Sequence, residues 1–206
     1  ALSRKRRDAA ERMCPLVVEQ LAELGMAEAQ LEAAFETAAA PGESPTGLDE
    51  IELLVQPNPG QSPRPLRKIA SGGELSRIML AVKSILAETD RISVLVFDEI
   101  DANIGGRMGT VIGDKLRTLA SHHQVLCITH LPQIAAYAEH HLKITKTTSK
   151  KQTRTTVSTI DDDARIDELA EMLTGKNATA TTRKQAEELL ALSNPPAKPK
   201  RRRKSA

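Results

Sequence analysis

The sequence predicts an α/β fold with a mostly parallel sheet flanked by helices, and four apolar stretches carry that reading. Leu75, Ile78, Met79, Val82, Ile85 and Leu86 recur at helical spacing, and the continuous apolar run 93–97 follows them. Met108, Val111, Ile112, Leu116 and Leu119 form a second helical face before another apolar run, 125–129. Strands apolar on both faces and separated by helices belong to a parallel sheet covered on both sides. At 206 residues the chain is long enough for one sizeable core with an appendage at either end.

In chain order, residues 1–24 read as a helix with the apolar stripe Met13, Leu16, Val17, Leu21 and Leu24, ending at Gly25. Its first half, with Arg4, Lys5, Arg6 and Arg7, is nearly all polar, which fits either the last turns of a long coiled-coil arm or a surface helix. Ala1 stands where a start methionine would, so a fragment is expected. Residues 30–38 and 48–55 flank a Pro/Gly/Ser-rich turn at 41–47; the second reads as a strand, and the first is open between helix and strand. The run 56–65 holds Pro57, Pro59, Gly60, Pro63 and Pro65 and is a linker that cannot be helical. Beyond the second apolar strand come a short helix near 132–138 and two alternating runs, 142–146 and 153–160, that pair as an antiparallel hairpin. Asp161-Asp162-Asp163 opens an acidic-capped helix through Leu173, stopped by Gly175, and a last helix runs over 179–192. The proline-rich and basic end, 193–206, cannot bury apolar surface and is expected to be disordered.

The formal net charge of +2 misleads, because Lys198, Lys200, Arg201, Arg202, Arg203 and Lys204 supply six cations in the last twelve residues without one acid. Without them the body carries −4 and presents no extended basic face. Cys14 and Cys127 lie far apart with no metal-ligand spacing around them, which points to a reducing compartment. No apolar run approaches a membrane span, and the basic N-terminal stretch lacks the apolar core of a secretion signal. A cytoplasmic protein without a membrane partner is expected.

Two motifs carry chemistry. Ser71-Gly72-Gly73-Glu74 fits a capping box, with the Ser71 hydroxyl accepting from the Glu74 amide. That leaves the glycines unexplained, since Gly in a first helical turn costs about 1 kcal/mol relative to Ala unless something must approach the backbone. Bare amides at a helix N-terminus also bind phosphate oxygens. Asp98-Glu99 follows an apolar strand, so both carboxylates fall at its carboxyl end, where open α/β sheets bind ligands. Asp98 would hold Mg²⁺ and Glu99 would polarise a water for attack on a γ-phosphate, with Asp101 a third carboxylate within one turn. His130 follows the second apolar strand and therefore lies at the same sheet edge. No Gly-x-x-x-x-Gly-Lys-Ser/Thr loop occurs in the sequence, so the acids are present without the phosphate cradle.

Ser71-Gly72-Gly73-Glu74-Leu75-Ser76-Arg77, then Asp98-Glu99-Ile100-Asp101, then Thr129-His130-Leu131-Pro132-Gln133-Ile134-Ala135 form an ordered set. It resembles the C-terminal lobe of an ABC-type ATPase head of the SMC-like class, over roughly residues 1–192. The resemblance implies an ATPase acting in DNA double-strand-break repair and recombination, with ATP and Mg²⁺ as ligands. It implies three partners: an N-terminal lobe carrying the missing phosphate loop, a second head in a homodimer, and DNA. It assigns Ser71, Gly72, Gly73 and Glu74 to the signature motif that contacts ATP held by the opposite head, and Asp98 to the Walker-B aspartate near Mg²⁺. Glu99 becomes the general base, Asp101 the D-loop acid and His130 the switch histidine. Residues 1–25 become the end of a coiled-coil arm, 26–192 the lobe and 193–206 a tail outside the resemblance. The family usually has Gly where this sequence has Asn103, the non-Gly residue most tolerant of positive φ. Such a lobe alone would be inactive, and the location implied is the bacterial cytoplasm, at the nucleoid. Two other classes stay open: a DNA-binding or structural head module without hydrolysis, and the nucleotide-binding lobe of a transporter.

Overall fold

The computed structural model describes residues 2–37, 47–148, 152–176 and 178–193, in two compact units divided after His130. The predicted turn at 41–47, apart from Gly47, and the basic tail beyond Ser193 lie outside the described residues.

The first unit opens with α1 (Leu2–Glu23), which passes through Pro15 and ends where Gly25 takes a φ of 78°. Its buried side is Cys14, Val17 and Leu21, with Leu24 buried just past its end; Leu16, expected in the stripe, is 46% exposed. The polar first half is not idle. Arg6 pairs with Asp49 at 3.5 Å, and the Arg7 guanidinium lies 4.4 Å from the centre of the Phe35 ring. The open choice at residues 30–38 resolves as a strand, β1 (Gln30–Thr37), antiparallel to β2 (Asp49–Gln56), which also pairs with the short β3 (Arg64–Pro65).

A single 3-10 turn, Leu66–Lys68, leads into α2 (Gly72–Leu86). Then come β4 (Val94–Phe97), α3 (Gly106–Leu119) and β5 (Gln124–Cys127), with β4 and β5 parallel and Val94 opposite Gln124. Ile78, Leu80, Ile100, Ile112 and Leu119 are fully buried and join Val17, Leu21 and Leu24 in the core of this unit. Lys115 of α3 reaches Gln20 and Glu23 of α1, at 2.5 Å each.

The second unit holds α4 (Pro132–Ala135), the antiparallel pair β6 (His141–Thr148) and β7 (Thr153–Ile160), α5 (Asp162–Thr174) and α6 (Ala180–Ser193). Asp161 stands at the N-cap of α5 without a side-chain cap bond, and Gly175 ends the helix with a φ of 79°. The core here is small: Ala135, Ala136, Leu169, Ala170 and Ala186, with Ile166, Met172, Leu173, Leu189 and Leu190 packed around it.

Two expectations need correction. The α/β class holds, but among the described residues parallel pairing is confined to β4–β5, and the other two sheets are antiparallel. The reason is connectivity: only four residues separate β6 from β7, too few for anything but a reversal, whereas α3 between β4 and β5 carries the crossover a parallel pair requires. Nor is the parallel pair covered on both sides. Leu95 and Phe97 are buried, but Val94, Val96, Leu126 and Ile128 are 43%, 64%, 42% and 52% exposed, so one apolar face meets solvent.

Candidate functional site

All eight residues singled out in the sequence lie in the first unit, around the N-terminus of α2 and the turn after β4. Ser71 is the N-cap of α2 in extended geometry, and its hydroxyl accepts from the Glu74 amide at 3.3 Å, the first half of the predicted capping box. The glycines have a neighbour within the same chain. A Cβ on Gly72 would run into the carboxylate of Glu99. One on Gly73 would stand 2.9 Å from the Ala102 methyl and 3.0 Å from the Glu99 carbonyl oxygen, closer than real Cβ atoms normally approach. The turn after β4 therefore packs backbone to backbone on the first turn of α2, and glycine is what admits it.

That turn has an unusual shape. Glu99 takes a φ of 56° and Asn103 a φ of 60°, so both stand in the left-handed region. Asn tolerates this well, whereas Glu does so only at a cost of order 1 kcal/mol. The Glu99 amide donates to Asp98 Oδ1 at 2.9 Å, and the Ala102 amide closes the turn on the Glu99 carbonyl at 2.9 Å. Asp98 and Glu99 are exposed at the carboxyl end of β4, as the spacing predicts.

Asp101 differs from its neighbours in being 4% exposed. Its Oδ2 accepts from the Thr129 hydroxyl at 2.6 Å and from the His130 amide at 2.8 Å, and lies 3.0 Å from His130 Nδ1. One buried carboxylate thus ties the turn after β4 to the end of β5. The His130 side chain is otherwise 73% exposed. With Nδ1 turned to Asp101, its Nε2 can act as an acceptor when the ring is neutral and as a donor when it is charged. Close by, burial pushes the Cys127 thiol up to about 12, helped by the Asp101 and Asp98 carboxylates.

The fit to Mg²⁺ is that of an accessory ligand set. Among the described residues no group of three or more His, Cys, Asp or Glu gathers to hold a metal. Mg²⁺ commonly takes one or two carboxylates and draws its other ligands from phosphates and water, which an exposed Asp98 satisfies.

No protein-family model matches the sequence. Over 92% of its length the chain is 42% identical to the protein named DNA repair protein RecN of Streptomyces coelicolor, covering 35% of that protein. It is also 42% identical to the protein of the same name from Treponema pallidum, covering 92% of this chain and 34% of that one. This chain belongs to the RecN family and matches the C-terminal part of its members. It spans about a third of the length of these relatives. Among solved structures, the Smc head domain with a coiled coil and joint from Pyrococcus yayanosii aligns over 80% of this chain and 29% of that one. The TM-score is 0.53 at 20% identity, which identifies the fold as that of an SMC-type ATPase head lobe.

In this RecN-family lobe three residues with no role assigned from the sequence belong to the site. The Ser76 hydroxyl donates to the Asp98 carbonyl at 2.7 Å, Arg77 donates to the carbonyls of Ile100 and Ala102 at 3.5 and 3.3 Å, and Thr129 holds Asp101. Ser76 and Arg77 follow the glycine motif after Leu75, and Thr129 stands directly before His130, so closeness to the motifs is the signal that marks them.

Proposed function

We propose that this chain is the C-terminal lobe of an SMC-like ATPase head that acts in bacterial DNA double-strand-break repair and recombination. The observation that carries this reading is the Asp101 carboxylate. It joins the turn bearing Asp98 and Glu99 to the strand end bearing His130, so the residues needed for phosphate chemistry share one edge of the β4–β5 sheet. The RecN relatives, named DNA repair proteins, support the process, and the SMC-type head fold supports ATP as the substrate.

In this reading Glu99 takes a proton from the attacking water, and His130 Nε2 meets the γ-phosphate with its ring oriented by Asp101. Asp98 would hold Mg²⁺, which when bound offsets charge on the phosphate oxygens. The signature residues Ser71, Gly72, Gly73 and Glu74 face the ATP of a second head, the amides of α2 supplying donors to phosphate oxygens. Asp101 acts through His130 and Thr129, since its carboxylate is enclosed by its own chain. An N-terminal lobe of the same protein supplies the phosphate loop; the bare apolar face of Val94, Val96, Leu126 and Ile128 supports such a covering partner. DNA is the remaining partner, and the cytoplasm, at the nucleoid, the location. Among the described residues no helix is long and apolar enough to cross a membrane.

Steady-state ATP hydrolysis tests the proposal. This chain alone is expected to show no turnover, while the protein with its N-terminal lobe hydrolyses ATP. Glu99→Gln in that protein lowers kcat by about 100-fold or more and leaves ATP-dependent dimers intact. Turnover by the isolated chain that survives Glu99→Gln would sink the assignment. For DNA, deleting residues 195–206 is expected to weaken binding and to flatten its log–log salt dependence by about 0.9 for each phosphate that the tail neutralises.

A further inference from the structure

We infer that Arg77 is a positioning residue of this site, clamping the backbone on either side of Asp101 and so setting the turn that carries Glu99. The inference rests on the ATPase reading above and extends it to a residue that touches neither nucleotide nor metal.

Arg77 lies on α2 one turn past Gly73 and is 9% exposed. Its Nη1 donates to the carbonyls of Ile100 and Ala102, the residues flanking Asp101. Ser76 adds the Asp98 carbonyl, so three alternate carbonyls of one turn, at 98, 100 and 102, end on two consecutive side chains of one helix. The turn needs external support because it holds two residues at positive φ, one of them Glu99. Gly73 lets the helix come close enough for these short reaches.

The chemistry of Arg77 argues against simple packing. Burying a guanidinium is unfavourable, and burial lowers the Arg77 pKa, with Glu74 acting in the opposite sense. Its Nε is buried without a hydrogen-bond partner. A Leu or Met would fill the space without that penalty, whereas only a long side chain with a donor at its tip reaches two main-chain oxygens. The line of contacts runs from Arg77 to the Ile100 and Ala102 carbonyls, through Asp101, to His130.

The experiment uses the full-length protein with both lobes and measures kcat and KM for ATP. Arg77→Met is expected to lower kcat by about tenfold or more, as small misplacements of reacting groups do, with KM changed by less than about threefold. Arg77→Lys, which keeps a donor at the tip, recovers most of the rate. In the Glu99→Gln background Arg77→Met lowers kcat by less than about a further twofold, because the residue it positions no longer works as a base. A purely structural role predicts effects that multiply, and independent effects in this cycle overturn the inference. So does wild-type kcat in Arg77→Met. Should Arg77→Met fail to fold, Arg77→Lys and Ser76→Ala are run through the same cycle with Glu99→Gln, and the same two outcomes decide. No hydrolysis by the wild-type protein sinks the ATPase reading and this inference with it, which is distinguishable from a wild-type rate in the variant.

Discussion

Asp101 ties together more of the site than either neighbouring carboxylate, and it does so from a buried position with three nitrogen and oxygen partners on one oxygen. Asp101→Asn keeps the shape but removes the charge that makes such bonds strong. A drop of about 1–3 kcal/mol is expected in denaturant unfolding of this chain, together with loss of turnover in the full protein. Gly73→Ala is expected to cost about 1–3 kcal/mol as well, because its Cβ would press on the backbone oxygen of Glu99, which cannot swing aside. Gly72→Ala is expected to cost less, since the opposing group is the mobile end of the Glu99 side chain. Cys127 offers a pH test. With its thiol raised from the ordinary 9.0 to about 12, unfolding releases that proton between these values. The unfolded state then binds fewer protons, so stability falls as pH rises through that window, and Cys127→Ala reduces the slope, leaving the part due to Cys14 and Lys143, whose pKa values are also raised. Alkylation of Cys127 at pH 8 is expected to be slower than that of a free thiol.

Among the elements, α2, β4, α3 and β5 are legible in the sequence because their signals are local: a repeat of three or four residues, or four apolar residues in a row. The segment Gln30–Thr37 is not, since its Ala, Glu and Leu content suits either conformation and its pairing with β2 decides the matter. The meaning of Gly72 and Gly73 is hidden for a similar reason, as the turn that presses on them lies more than 25 residues further along the chain. Asn103 is legible because positive φ is a local preference. The exposed side of β4–β5 escapes a sequence reading because apolar residues record what a strand face requires and not whether this chain supplies it. Val96→Lys on that face is therefore expected to change the stability of the isolated chain by no more than about 0.5 kcal/mol in a denaturant melt. The first residue of β6 gives a second pH dependence. Burial lowers the His141 pKa, Arg165 and Lys143 add to this, and Glu168 opposes it. The unfolded state takes up the proton first, so stability is lost as pH falls below the ordinary 6.5, and His141→Gln flattens that dependence.

For the whole chain, the two units differ in what holds them. The first buries large aliphatic side chains from α1, α2 and α3, whereas four of the five buried residues at the heart of the second are alanines. Apolar burial contributes about 25 cal/mol per Å², so small side chains leave α5 and α6 the less protected part. Native-state hydrogen exchange is expected to show lower protection in Asp162–Thr174 and Ala180–Ser193 than in Gly72–Leu86 and Gly106–Leu119; equal protection would contradict this account. The left-handed backbone at Glu99 has a consequence for how such a chain evolves or is engineered. Asn would fit that φ with less strain, and Glu99→Asn is expected to gain up to about 1 kcal/mol of stability while abolishing turnover. A selection for thermal robustness alone would drift away from the carboxylate, and its persistence at a strained position would then record selection for chemistry.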